Sequence, residues 1–246
     1  MADLLTAILA SVPDGRVLRV VVGRRWTASV VDVQGVERCG LAATWRLPEE
    51  EALEPPPVGG IAARPLASEL RHVRGLRASM AVATINGSLP PLTGQWKHEK
   101  VEDVILRRGV GKSVVMVGHF PFVDSLRPHV GSLAVLEERP RPGDLPASAA
   151  PEVLPSADIV VITGMAFVNR SLDGLLRLCS TRAHVILAGP STPLSPILFE
   201  HGVHELCGAI VEDVEAVLRA VAAGQGFHGV HQAGVQLVTI SADASS

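Results

Sequence analysis

Cysteine, aromatic side chains and surplus charge are all scarce in this chain, and each scarcity removes a class of function. Three cysteines (Cys39, Cys179 and Cys207) stand far apart with no CxxC, which excludes a structural zinc cluster and fits a reducing cytoplasm. Aromatic residues make up 3% and tyrosine is absent, so stacking platforms for single strands are not expected. The formal net charge is -3, from 22 basic and 25 acidic side chains, whereas a nucleic-acid groove shows as a basic excess. No apolar run approaches the roughly 20 residues that cross a bilayer. The opening MADLLTAILASVPDG has no basic n-region and reads as an amphipathic helix. The expectation is a cytoplasmic protein with neither membrane nor nucleic-acid partners. HExxH is missing as well. His201 and His204, like His228 and His231, lie three apart without a cysteine or carboxylate at zinc spacing, and no metal site is expected.

Core material, by contrast, is plentiful. With 246 residues, 47% hydrophobic and 19% charged, the chain suits one large domain or two small ones sharing a cleft. Residues 16–33 (RVLRVVVGRRWTASVVDV) give two β-rich runs parted by Gly23-Arg24-Arg25, a hairpin signal. Breakers then crowd 49–60, from Glu49-Glu50-Glu51 through Pro55-Pro56-Pro57 to Gly59-Gly60, and predict a surface loop. Helical spacing returns in 66–74 and 76–86. Residues 1–92 therefore read as a small α+β domain ending near Pro90-Pro91.

Beyond it the rhythm changes. Short apolar runs recur at 113–118, 132–136, 158–162, 183–188 and 204–211, separated by segments of helical length such as 169–178 and 212–223. Runs apolar on both faces, alternating with amphipathic helices, predict a parallel sheet covered on both sides. Residues 93–246 thus read as a Rossmann-like domain, with 226–240 as a weakly alternating edge strand. The fold class expected is α/β, a Rossmann-like parallel sheet preceded by a small α+β domain.

In such sheets the ligand lies beyond the carboxyl ends of the strands, near the switch in strand order. The first end offers Gly118, then His119, Phe120 and Pro121. A dinucleotide needs GxGxxG for close backbone approach, and bulky residues here would block a diphosphate. Glu137, 19 positions after Gly118, can accept hydrogen bonds from both ribose hydroxyls. A carboxylate without a phosphate cradle suits a nucleoside lacking phosphates, and S-adenosylmethionine is the common ligand of that kind. The competing reading puts Glu137 in a solvated cluster with Glu138, Arg139 and Arg141. Asp144, in a turn, could meet an adenine amino group or cap the next helix. Thr163 and Gly164 end the third strand. Asn169 is either a plain N-cap or an amide that recognises a substrate carboxylate or ammonium. Ser191-Thr192-Pro193 has N-cap and N1 chemistry, and its hydroxyls also suit an anion. His119 could act as acid or base at its strand end, or simply pack there.

Four ordered motifs, VVMVGHFPF (114–122), LAVLEERPRPGDLP (133–146), DIVVITGMAFVN (158–169) and LAGPSTPL (187–194), resemble the family called "putative heavy-metal chelation". CGLAAT (39–44) and LRASMAVATIN (76–86) are similar to its companion domain. The resemblance spans nearly the whole chain. It implies an enolase N-terminal-like domain followed by a Rossmann-like domain, with a small-molecule site in the cleft between them. Glu137, Thr163, Asn169, Ser191, Thr192 and Asn86 fall on the family's motif positions. One departure is Gly87-Ser88 after Asn86, where a small apolar residue is expected. Some relatives are described as binding S-adenosylmethionine and cyclising it to azetidine-2-carboxylate.

These readings converge on an enzyme that binds S-adenosylmethionine in the cleft and catalyses cyclisation or alkyl transfer. Glu137 would hold the ribose, Gly118 would permit close approach, and Asn169, Thr163 and Ser191 would fix the amino-acid end. His119, Phe120, Asp144, Gly164, Thr192 and Asn86 complete the candidate contacts. Phe120, Phe122 or Trp45 would form a lid over the cation. The rival expectation is a protein that binds or helps make a metal chelate without such chemistry. Low charge and a high apolar fraction also fit a homodimer.

Overall fold

The computed structural model describes residues 3–47, 59–92 and 96–242. The expected hairpin is present as β1 (Arg16–Val22) and β2 (Trp26–Val33). Gly23 is obligatory in its turn, because a Cβ there would lie 2.1 Å from the Val221 carbonyl oxygen. A third strand, β3 (Val36–Ala43), extends the antiparallel sheet and is not anticipated by the pattern. Its residues VERCGLAA mix charges with glycine and so lack clean alternation. The β2–β3 turn places Gln34 and Gly35 at φ 57° and 81°, the geometry that suits the twist of a two-residue hairpin. Asp32 Oδ1 accepts the Gly35 N–H at 2.7 Å and helps hold it. The breaker-rich stretch expected to be a loop lies largely outside the described residues.

The helix Gly75–Ser88 crosses this sheet and is buried almost all round; only Arg77 and Asn86 are not fully enclosed. Such burial requires every polar group to find a partner. Ser29 Oγ and Thr84 Oγ1 pair at 2.9 Å, and Ser88 Oγ donates to the Thr84 carbonyl at 2.7 Å. Close approach also requires small residues. A Cβ on Gly40 would meet Gly87 N at 2.1 Å and the Ala83 oxygen at 2.2 Å, and one on Gly87 would meet Ser29 O at 3.0 Å. This contact accounts for Gly87, the position where the family pattern suggests a small apolar side chain.

The second sheet has seven strands: β4 (Ser113–Val117), β5 (Ser132–Glu137), β6 (Leu145–Pro146), β7 (Ile159–Thr163), β8 (His184–Ala188), β9 (Glu205–Val211) and β10 (Val235–Ser241). Their order is β10-β9-β8-β7-β4-β5-β6, and all neighbours are parallel except β10 with β9. The Rossmann-like reading is therefore correct. Its expected edge strand covers only part of 226–240, since Phe227–Gln232 is helical and β10 begins at Val235. The first helix, Leu4–Ser11, is where the opening stretch predicts one. One continuous core joins both sheets, running from Ile8 and Ala42 through Ile85 to Leu136, Ile162 and Leu187. The opposite face of the large sheet closes over Ile105, Met116, Val135, Val161 and Ile186. No helix among the described residues is long and apolar enough to cross a membrane.

Candidate functional site

Chain order reverses around β4, which is flanked by β5 on one side and β7 on the other. At such a point the loops leaving neighbouring strands diverge and leave a crevice. A cleft of about 460 Å³ opens there. Gly118, His119 and Phe120 line it after β4, Glu137 and Glu138 after β5, and Thr163 and Asn169 after β7. Trp45, beyond β3, reaches it from the N-terminal half.

The β4 turn explains why no phosphate cradle forms. Gly118 has φ 97° and donates its N–H to the Leu136 carbonyl at 2.8 Å. A Cβ on Gly118 would sit 2.9 Å from Thr163 Cγ2, so its missing side chain makes room for Thr163 as well as for a ligand. His119, Phe120, Pro121 and Phe122 follow, and the next helix is the single turn Val123–Leu126. Phe120 and Phe122 stack with centroids 5.3 Å apart, which leaves Phe120 as the ring on the cleft.

Glu137 faces this turn. Its Oε2 accepts the His119 N–H at 2.9 Å, and its Oε1 accepts the Glu138 N–H at 3.0 Å. Two backbone donors fix the carboxylate, and each oxygen keeps lone-pair capacity for a further donor. His119 Nδ1 lies 2.9 Å from Asp144 Oδ2 and 3.2 Å from Oδ1. Asp144 Oδ2 also accepts the Arg141 N–H at 3.1 Å. Burial opposes ionisation of Asp144, but the His119 and Arg141 hydrogen bonds outweigh it and hold the carboxyl below its ordinary value. Asp144 caps no helix, since β6 follows directly, and its oxygens are engaged by His119 and the Arg141 N–H.

On the β7 side, Thr163 Oγ1 accepts the Met165 N–H at 3.3 Å. Asn169 is not an N-cap, because the next helix starts at Leu172 with Ser171 before it. Instead Asn169 Oδ1 accepts both the Ser171 N–H (3.0 Å) and the Ser171 hydroxyl (2.7 Å), leaving the amide group to the cleft. Between them Arg170 adopts φ 63°, an uncommon conformation for a residue with a side chain. It turns the chain so that Asn169 and Ser171 both line the cleft. Ser171 and Leu175 lie outside the motifs and are found only through this packing, as is the part played by Met165. The Trp45 backbone N–H donates to Ser79 Oγ at 2.7 Å, and Arg74 lies over the Trp45 ring at 5.3 Å.

Like Asp144, four more candidates stand apart from the lining. Ser191 is 3% exposed and its Oγ accepts the Ala43 N–H at 2.7 Å, so it ties the Gly189–Pro193 turn to β3. Thr192 is buried beside it and caps nothing, because the following helix begins at Ile197. A Cβ on Gly164 would meet Thr192 N at 2.7 Å; this glycine lets the two turns touch. Asn86 donates to the Leu41 carbonyl at 2.8 Å and bridges β3 to the same region.

Two family models, DUF4213 over residues 5–89 and DUF364 over residues 100–239, match this chain, and both are described as "Putative heavy-metal chelation". The chain belongs to the DUF364 family. A DUF364 protein of unknown function from Desulfitobacterium hafniense is 31% identical, with a TM-score of 0.79 covering 97% of this chain and 96% of its own. Another of unknown function, from Pyrococcus horikoshii, is 20% identical and shares the fold, with a TM-score of 0.82 covering 97% and 98%. No curated protein matches the chain.

The description of the DUF364 family invites a test of whether donors for a metal gather here. Among the described residues no group of three His, Cys, Asp or Glu side chains is placed to hold an ion. Burial pushes the thiols of Cys39 and Cys207 up to about 12 and that of Cys179 up to about 11, away from the thiolate form that binds soft metals. Among the described residues the donor set does not fit a resident heavy-metal ion.

Proposed function

We propose that this DUF364 protein binds S-adenosylmethionine as a substrate in the β4–β5–β7 cleft and uses its sulfonium as a leaving group, for cyclisation or alkyl transfer. The observation that carries this reading is Glu137, a fixed carboxylate lining the cleft beside a turn that offers no diphosphate cradle. Ribose hydroxyls donate to the lone pairs its backbone partners leave free. Phe120 and Trp45 supply ring faces for the sulfonium. The Asn169 amide and the Thr163 hydroxyl meet the carboxylate and ammonium of the amino-acid end. Ser191 stands outside the cleft lining, where its hydroxyl oxygen accepts the Ala43 N–H, and the reading does not rest on it. A sulfonium is already activated, so the protein need only hold the reacting atoms in line and exclude water.

Calorimetry of the purified chain with S-adenosylmethionine, alongside a panel of divalent metal ions, tests the proposal. Saturable nucleoside binding followed by a new product in mass spectrometry is the expected result. Tight binding of a metal with no affinity for the nucleoside would replace this reading with that of a metal or metal-chelate protein.

A further inference from the structure

Resting on that reading of the cleft, we infer that His119, oriented by Asp144, is the catalytic base that removes a proton from the substrate's ammonium group. The argument begins with the pair itself. The Asp144 side chain is 1% exposed and that of His119 is 15% exposed, so the carboxylate is shielded while the ring borders the cleft. Asp144 is held from its other side by the Arg141 N–H, and the His119 backbone is held by Glu137. The imidazole is thus fixed at both its main chain and its Nδ1.

A carboxylate on Nδ1 fixes the tautomer with the proton on that nitrogen, which leaves Nε2 as an acceptor. No described residue hydrogen-bonds Nε2. The charged groups around the ring are Asp144 at Nδ1, Glu137 at the backbone N–H, Glu138 on the cleft wall, and Arg141 beyond Asp144.

A primary ammonium has no lone pair and cannot displace sulfur until it loses a proton. In the step inferred, one proton passes from the substrate ammonium to His119 Nε2. The freed amine forms a bond to the substrate's own γ-carbon. The bond from that carbon to sulfur breaks with both electrons going to sulfur, giving a neutral thioether of the nucleoside and a four-membered cyclic amino acid. The imidazolium then returns its proton to solvent. Nothing is oxidised or reduced.

His119→Gln and Asp144→Asn, assayed in the full chain, test this. Calorimetric affinity for S-adenosylmethionine should stay within about threefold of wild type, since neither side chain holds the ribose. Ring formation at pH 7 should fall about five- to tenfold in His119→Gln, because without the base only about a tenth to a sixth of an amine with its ordinary pKa is unprotonated there. That deficit should narrow as pH rises toward the amine's own pKa, about 7.7–8, where the substrate supplies its free amine unaided, and added imidazole should restore part of it. Asp144→Asn keeps a partner for Nδ1 and the shape of the site, and should lose part of that factor, about three- to tenfold in rate, with affinity kept. It also provides a folded comparison should His119→Gln be unstable. If His119→Gln binds and closes the ring within threefold of wild type, the dyad's role is overturned while the reading of the cleft stands. If wild-type protein does not bind S-adenosylmethionine, that reading falls and the base falls with it. A methylated acceptor without any cyclic product would also overturn the inference.

Discussion

Replacing Glu137 with glutamine changes one atom and separates a sugar-binding carboxylate from a solvated charge. Each carboxylate oxygen in the native protein already accepts one backbone N–H, at 2.9 Å from His119 and 3.0 Å from Glu138. Each retains capacity for one ribose hydroxyl. Glutamine puts an NH2 in place of one oxygen, and that nitrogen accepts nothing. One backbone donor loses its partner, one ligand hydroxyl loses its acceptor, and the other hydroxyl now meets a neutral oxygen. A hydrogen bond to a charged group contributes about 1.5–3 kcal/mol and a neutral one about 0.5–1.5 kcal/mol. The combined loss for the ligand is therefore about 2–4 kcal/mol, which raises Kd about 30- to several-hundred-fold.

The assay is calorimetric titration of both proteins with S-adenosylmethionine and with its deoxyribose analogue, which has given up one hydroxyl. Part of the glutamine penalty should vanish for the analogue, because the interaction it removes is already gone; the two changes form a cycle whose coupling reports the contact. Thermal unfolding checks that the variant remains folded. Equal affinity of wild type and Glu137→Gln for S-adenosylmethionine, with matched unfolding, would refute the reasoning. A penalty identical for both ligands would place Glu137 away from the sugar.

Three further predictions concern the frame around the site. Glu205 is fully buried at the start of β9, where its oxygens face Arg108 at 3.2 Å, His184 at 3.5 Å and the Ser241 hydroxyl at 2.5 Å. Burial raises its pKa, but the nearby His184 ring, the Ser241 hydrogen bond and the arginine charge outweigh this and leave it depressed. A depressed carboxylate stabilises the fold above its unfolded pKa, and the benefit is lost as pH falls through the folded value. Glu205→Gln should therefore cost about 2 kcal/mol in urea unfolding at neutral pH, less than a fully enclosed pair because the arginines reach solvent, and the gap from wild type should close in acid. Gly40→Ala should destabilise by about 3 kcal/mol or abolish folding, since its methyl would strike the backbone of the Gly75–Ser88 helix; unfolding curves matching wild type would contradict that packing. Cys207, with its thiol raised to about 12 and 6% of its surface exposed, should resist alkylation in the native protein at mildly alkaline pH and react once denatured, as mass spectrometry would show.

Much of the framework was legible before any coordinates. The five parallel runs read from residues 113 to 211 are strands within a residue or two, because their central residues are apolar and buried. Gly118 and Glu137 could be placed on strand ends by counting alone. Three features escaped: β3, whose charges and glycine mask its period; the pairing of His119 with Asp144, 25 positions apart; and Ser171, presented to the cleft by the left-handed Arg170.

Local periodicity and turn chemistry act over a few residues, so the chain alone determined most of the strands and helices and the glycine that ends β4. Whether a side chain faces a cleft or a neighbour depends on elements brought together across the whole chain. Only the folded arrangement could decide that Ser191 hydrogen-bonds β3 while Asn169, equally polar and equally placed beyond a strand, borders open space. The same long-range packing, and nothing in the local sequence, turned an isolated histidine and a turn aspartate into one oriented pair.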